Sequence, residues 1–117
     1  MWHEFIIINA EEIPETTTYL LIKGHEVCRV DNEIIVNNPL FLRGFKTFKV
    51  SFKNPGEGLD YHGNTIIPTS SLEQFISNIK MAQDNCTDVA ISEQLNELLA
   101  MCKKAQAQGS YMMHFGL

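Results

Sequence analysis

The sequence is short of most of the residue patterns that announce a chemistry. Its three cysteines, Cys28, Cys86 and Cys102, are odd in number, widely spaced and contain no C-x-x-C. Neither a disulfide framework nor a cysteine zinc site is expected from them. They read as reduced thiols of a cytoplasmic protein, small core or half-buried residues. No apolar run approaches the ~18 residues of a membrane helix. The start, Met1-Trp2-His3-Glu4-Phe5-Ile6-Ile7-Ile8, lacks the basic segment and the apolar length of a secretion signal. The glycines build no phosphate loop. Gly56-Glu57-Gly58 is too short, has neither G-x-G-x-x-G nor a G-K-[ST] ending, and no helix follows it directly. Basic residues are scarce, nine Lys and Arg against fourteen Asp and Glu, for a net charge of −5. Generic nucleic-acid binding needs a net basic footprint and is disfavoured. A basic macromolecular partner is favoured instead, because an acidic surface steers its encounter.

What is present is the composition of one ordinary domain. At 117 residues, 44% apolar and 20% charged, the chain is expected to form a single domain over residues 1–117, with a core that needs no disulfide or metal. The charge is unevenly spread. Residues 1–33 carry seven acids against Lys23 and Arg29, whereas residues 34–53 carry Arg43, Lys46, Lys49 and Lys53 with no acid. Residues 54–117 return to seven acids against three lysines.

The first half reads as strands. Trp2–Ile8 is apolar and isoleucine-rich, Thr16–Lys23 is β-branched and aromatic, and Glu26–Val30 and Glu33–Val36 flank Asp31-Asn32 as a hairpin would. Lys46–Lys53 alternates, with Phe48, Val50 and Phe52 on one side and Thr47, Lys49, Ser51 and Lys53 on the other. That period predicts one buried and one solvated face, the lysines guarding an edge. Asn54-Pro55-Gly56-Glu57-Gly58 opens an irregular stretch, and Thr65-Ile66-Ile67 suits a short strand. Two amphipathic helices follow. Ser70-Ser71-Leu72-Glu73 has the form of a capping box, ahead of the stripe Leu72, Phe75, Ile76, Ile79 and Ala82. Asp88 or Ser92 caps a second helix with the stripe Ile91, Leu95, Leu98, Leu99, Cys102 and Ala105, which stops at Gly109. The apolar ending, Tyr111-Met112-Met113-His114-Phe115-Gly116-Leu117, would be sticky in water and reads as a strand slotted into the sheet. The fold class is therefore α+β, a mainly antiparallel sheet with a two-helix layer on one face and a C-terminal strand completing the sheet.

Candidate chemistry is sparse. His3, His25, His62 and His114 are isolated from one another, with no i,i+4 pair and no cysteine at ligand spacing. Structural or exposed roles are expected for three of them. His62 is the best placed, in a glycine-punctuated loop beside Glu57, Asp60 and Tyr61. No cysteine has a legible base beside it, so no catalytic residue, metal or cofactor is assigned. Two features suit partner binding. One is the acidic connection Glu11-Glu12-Ile13-Pro14-Glu15, whose plainer reading is a solvated loop. The other is Glu57, Asp60, Tyr61 and His62, an aromatic anchor ringed by carboxylates, or more plainly a tyrosine packing its loop onto the sheet.

Asp60-Tyr61-His62-Gly63-Asn64-Thr65-Ile66-Ile67-Pro68, leading into Ser71-Leu72-Glu73-Gln74-Phe75, and the ending Tyr111–Gly116 after a leucine-rich helix, together resemble small acidic bacterial immunity proteins. The group is that of contact-dependent growth inhibition and related polymorphic toxin systems. The resemblance covers mainly residues 58–117. It implies a cytoplasmic non-enzyme that binds one cognate toxin domain, often a nuclease, and occludes its active site. Two other classes fit the same features: an accessory or phage protein-interaction module, and a small ligand-binding domain or enzyme using the His62 loop.

Overall fold

The apolar positions of Phe5-Ile6-Ile7-Ile8 are consecutive rather than alternate, the pattern of a strand covered on both faces. In the fold, a computed structural model that describes residues 1–13, 22–49 and 54–117, that run belongs to β1 (Trp2–Ile8). The other strands are β2 (Cys28–Asp31), β3 (Lys46–Lys49), β4 (Pro55–Glu57), β5 (Asn64–Ile67) and β6 (Tyr111–Phe115). They form one open sheet in the order β2-β1-β6-β5-β3-β4, every neighbouring pair antiparallel. The C-terminal strand thus completes the sheet from its middle, pairing Ile6 with Met113 on one side and Ile66 with Met113 on the other.

Among the described residues three α-helices, α1 (Asn32–Val36), α2 (Leu72–Asp84) and α3 (Val89–Gln108), complete the α+β domain. α2 and α3 pack on one face of the sheet. The α2 stripe is buried as expected, through Leu72, Phe75, Ile76, Ile79 and Ala82, whereas α3 buries Leu95, Leu98, Met101, Cys102 and Ala105 and leaves the expected Ile91 and Leu99 half-buried against the same core. Phe75 is the hub of this layer, with ring centroids 6.0 Å from Phe5, 5.9 Å from Phe41 and 5.1 Å from Phe45. Asp88 caps α3 by accepting from the amides of Ala90 and Ile91. Gly109, at φ 67°, takes the left-handed end that favours glycine.

The opposite face is buried as well. Ile6, Ile8, Ile66, Met113 and Phe115 form a second cluster, against which Ile13, Ile22, Val27, Phe48 and Tyr111 pack. Phe48 packs against this cluster as expected, but the Thr47 and Lys49 side of the strand is covered as well rather than solvated. Thr47 is 2% exposed, Phe48 and Lys49 are half-buried, and β3 lies between β5 and β4 rather than at an edge. Hydrogen bonding explains the inward lysine: Thr47 Oγ1 and Lys49 Nζ both donate to the carbonyl of Gly58, each at 2.8 Å. Val50 and Phe52 fall outside the described residues.

Two further expectations are corrected. Glu33–Val36 is no hairpin strand. Asp31 ends β2, its carboxylate accepts from the Glu33 amide at 2.9 Å, and residues 32–36 turn into α1 with Ile34 and Ile35 inward. A good N-cap residue overrode β-branched propensity there. The capping box at Ser70 also does not form. A 3-10 turn spans Thr69–Ser71, α2 starts at Leu72 without a side-chain cap, and the Ser71 hydroxyl donates to the Lys46 carbonyl instead. Of the expected strand Thr16–Lys23, residues 16–21 lie outside the described residues, and Ile22 and Lys23 are not in a strand.

Removing residues 111–117 would withdraw the only described strand that joins β1 to β5. The expected result is loss of cooperative thermal unfolding and of most helical circular dichroism. A milder variant, Met113→Ala, should cost about 2–5 kcal/mol in urea titrations. A truncated chain that still melted cooperatively would show that β6 is an accessory strand.

Candidate functional site

β1 and β6 place two histidines on the helix-facing side of the sheet. Register sets Phe5 opposite His114, which makes His3 the diagonal neighbour of His114. The sequence expectation that the four histidines are isolated is therefore wrong for this pair. Both are fully buried, their rings stack at 5.0 Å and 13°, and His3 Nδ1 lies 2.7 Å from His114 Nε2. The outer nitrogens are also engaged: His3 Nε2 is 3.0 Å from Asn32 Oδ1, and His114 Nδ1 is 3.3 Å from Thr65 Oγ1. Thr65 is the direct cross-strand partner of His114.

The ends of this chain fix where the protons sit. The Asp60 backbone amide can only donate, and it donates to Thr65 Oγ1 at 2.8 Å. Asn32 Oδ1 can only accept, so with neutral rings His3 Nε2–H donates to it, His114 Nε2–H donates to His3 Nδ1, and the Thr65 hydroxyl donates to His114 Nδ1. Both imidazoles are neutral in this arrangement, and all their hydrogen bonds point the same way. A second added proton would set two N–H groups head to head. Burial lowers the His3 pKa, countered by the Asn32 hydrogen bond and reinforced by the charge of His62. Burial also holds His114 well below 6.5, helped by the charges of His3 and Lys49.

A ring ladder connects this pair to solvent. The exposed His62 meets Tyr61 edge-on at 4.7 Å, and the half-buried Tyr61 meets His3 edge-on at 5.4 Å. The loop beneath is tightly tied. Asp60 Oδ1 accepts from the His62 amide at 3.2 Å. Past the end of β6, the amides of Gly116 and Leu117 donate to the carbonyls of Gly63 and Tyr61, at 2.8 and 2.9 Å. A side chain at Gly116 would stand 2.5 Å from the Tyr61 carbonyl oxygen and 2.7 Å from that of Asp60, so glycine is required by close approach. Glu57, on β4, accepts from the Gly44 amide at 3.0 Å.

Glu11 and Glu12 occupy a different place. They lie exposed in a 3-10 turn, Ala10–Glu12, just past the far end of β1, and Glu12 Oε2 is 3.8 Å from His25 Nε2. β1 has seven residues, so at about 3.3 Å each the two acidic features stand about 20 Å apart along the strand. The fold brings Asp60, Tyr61 and His62 together and brings Glu11 and Glu12 together, but it does not join the two groups, and it sets Glu57 apart from Asp60, on β4 opposite Lys46. Glu15 lies outside the described residues.

The ladder reads as a rigid buried frame with an exposed tip. Its inner groups His3, Thr65 and His114 are fully buried. Cys28 and Cys102 are buried with their thiol pKa pushed upward, that of Cys28 to about 12, and the half-buried Cys86 donates to the Asp88 carbonyl at 3.3 Å. Among the described residues no group of three His, Cys, Asp or Glu side chains could hold a metal ion, and no helix is long and apolar enough to cross a membrane. No protein-family model, curated protein or solved structure matches the chain.

The histidine pair should make the fold acid-sensitive. Its folded pKa values lie below the ordinary 6.5, so on acidification the unfolded chain takes up protons first. Stability is complete above pH 6.5 and falls below it, by up to about 1.4 kcal/mol per pH unit for each histidine until the folded group titrates. Urea titrations between pH 8 and 5 measure this slope, and His114→Gln should remove about half of it. A slope unchanged in that variant would assign the acid sensitivity elsewhere. Gly116→Ala should lower the urea stability by about 1–3 kcal/mol through the crowding at the loop carbonyls; an unmoved midpoint would contradict that crowding.

Proposed function

We propose that this chain is an immunity-type inhibitor that binds a cognate bacterial toxin domain, basic and nuclease-like, and occludes its active site without catalysis of its own. The observation that carries the reading is how the acidic charge is held. Ten carboxylate residues are exposed among the described residues, including Glu11, Glu12, Glu26, Glu57 and Glu97. Only Arg29–Glu4, at 3.2 Å, pairs a carboxylate with Arg or Lys there. A net charge of −5 presented outward in this way speeds encounter with a basic partner and disfavours acidic ones. The resemblance of residues 58–117 to immunity proteins supports the same reading. So does the rigid sheet, since a preordered surface loses little conformational entropy on binding. A complex of this kind would bury an area of about 1,200–2,000 Å².

The test is co-production with the toxin domain encoded beside this chain. The expected result is a purified one-to-one complex and loss of toxicity. Charge reversal at Glu11 and Glu12 is compared with reversal at Asp60, because these face different ends of the sheet, and Glu57, on the edge strand β4, is reversed separately. Each lost rim charge should slow association more than it speeds dissociation. Absence of binding and of protection by the unaltered chain would sink the proposal.

A further inference from the structure

The helix layer leaves an opening where α3 passes the far half of β1 and the start of β2. A cleft of about 410 Å³ lies there, within the size range of pockets that enclose a ligand group. Ile7 and Val27 line it from the sheet side, and Ala100 and Met101 from α3. Cys28 also lines it, a free thiol only 4% exposed and without a hydrogen-bond partner among the described residues. Two carboxylates border these apolar walls, Glu26 from the strand side and Glu97 from the helix. Both are exposed, and neither has a cation within salt-bridge distance among the described residues. Burial raises the Cys28 pKa, and the charges of Glu97 and Glu26 raise it further. Lys104 borders the cleft as well, one positive charge against two negative. A second depression, lined by His25 and Glu26 among others, continues from it, and His25 leads to Glu12 at 3.8 Å. The cleft is thus continuous with the acidic turn at Glu11 and Glu12.

We propose that this cleft receives an arginine side chain from the basic partner, its guanidinium held between Glu26 and Glu97 and its methylenes laid on Ile7 and Met101. This rests on the inhibitor reading above. The occupant follows from the lining. A cleft that combines apolar wall from Ile7, Ala100 and Met101 with two unpaired carboxylates suits a side chain with an apolar stem and a cationic head. Guanidinium suits two carboxylates better than ammonium does, because it is planar, weakly hydrated and offers five N–H donors in a fixed fork. The partner therefore docks on the Glu11 and Glu12 end of the sheet, and the Tyr61–His62 end is not its contact.

The probe is N-acetyl-arginine methylamide, titrated into isotope-labelled protein while backbone amide shifts are followed. Saturable shifts are expected at residues 26–28 and 97–104. Affinity should fall about fivefold in Glu26→Gln and likewise in Glu97→Gln, both exposed positions where the thermal melt should not move. An equal response to the neutral norleucine analogue, shifts confined to other surfaces, or unaltered affinity in both variants would overturn the site. Equal binding of the lysine analogue would overturn the choice of guanidinium. The toxin-protection assay separates this proposal from the one it rests on. Protection by the unaltered chain that survives the Glu26→Gln/Glu97→Gln double variant overturns the docking and leaves the inhibitor reading intact. A normal arginine titration with no toxin binding at all overturns the inhibitor reading, and with it the assignment of the arginine to a toxin.

Discussion

The structure depends on one insertion, that of β6 between β1 and β5. Without those two ladders, β1 and β2 from the N-terminal part and β5, β3 and β4 from the middle would be separate ribbons. Isolated hairpins of that size are marginal in water. The insertion supplies the centre of both cores at once. Met112 faces the helices, and Met113 faces the opposite cluster. It also brings His114 to His3, the pair on which the polar frame of the helix-facing side is built.

Much of this was legible in the residues. The stripes of α2 and α3 have helical spacing, Gly109 and Asp88 punctuate them, and a terminal run as apolar as Tyr111–Phe115 has nowhere stable to go except into a sheet. The errors have physical causes. Ile34, Ile35 and Val36 carry strand propensity, but Asp31 can cap a helix, and burial of Ile34 and Ile35 is available in either geometry. On β3, period-two alternation identified a strand yet could not say which side was wet, because the sheet is covered on both. An inward lysine is tolerable only because the Gly58 carbonyl receives it, a partner nine residues away that alternation cannot show. The histidine pair was missed because its members are 111 residues apart. The available signal was the presence of polar residues at inward positions on apolar strands. The Glu26–Glu97 cleft left no trace at all, since its two carboxylates come from a strand approach and a helix with unrelated spacing.

The same architecture separates stiffness from charge. At the Tyr61 end, backbone ties from Gly116 and Leu117 and the ring ladder hold the loop against the core. At the other end, Glu11 and Glu12 sit in a short turn and Glu26 and Glu97 stand beside an open cleft. Buried polar groups with every partner in place rigidify a fold because any departure leaves one of them unsatisfied in a low-dielectric interior. Exposed unpaired carboxylates cost little to hold, and they confer long-range attraction. A binder benefits from having the first kind of group inside and the second outside.

The central place of β6 also governs the order in which the molecule can be made. During synthesis β1 emerges first and its inner partner emerges more than a hundred residues later. Until then Ile6, Ile8 and Ile66 have no Met113 to cover them, and strand edges that end up sealed stand open. Pairing so distant in sequence carries a large loop-closure entropy and slows folding. Until β6 emerges, the nascent strands β1 and β5 therefore expose apolar surface and open edges, the features that make unfinished chains prone to association. The net charge of −5 would meanwhile help keep such unfinished chains apart.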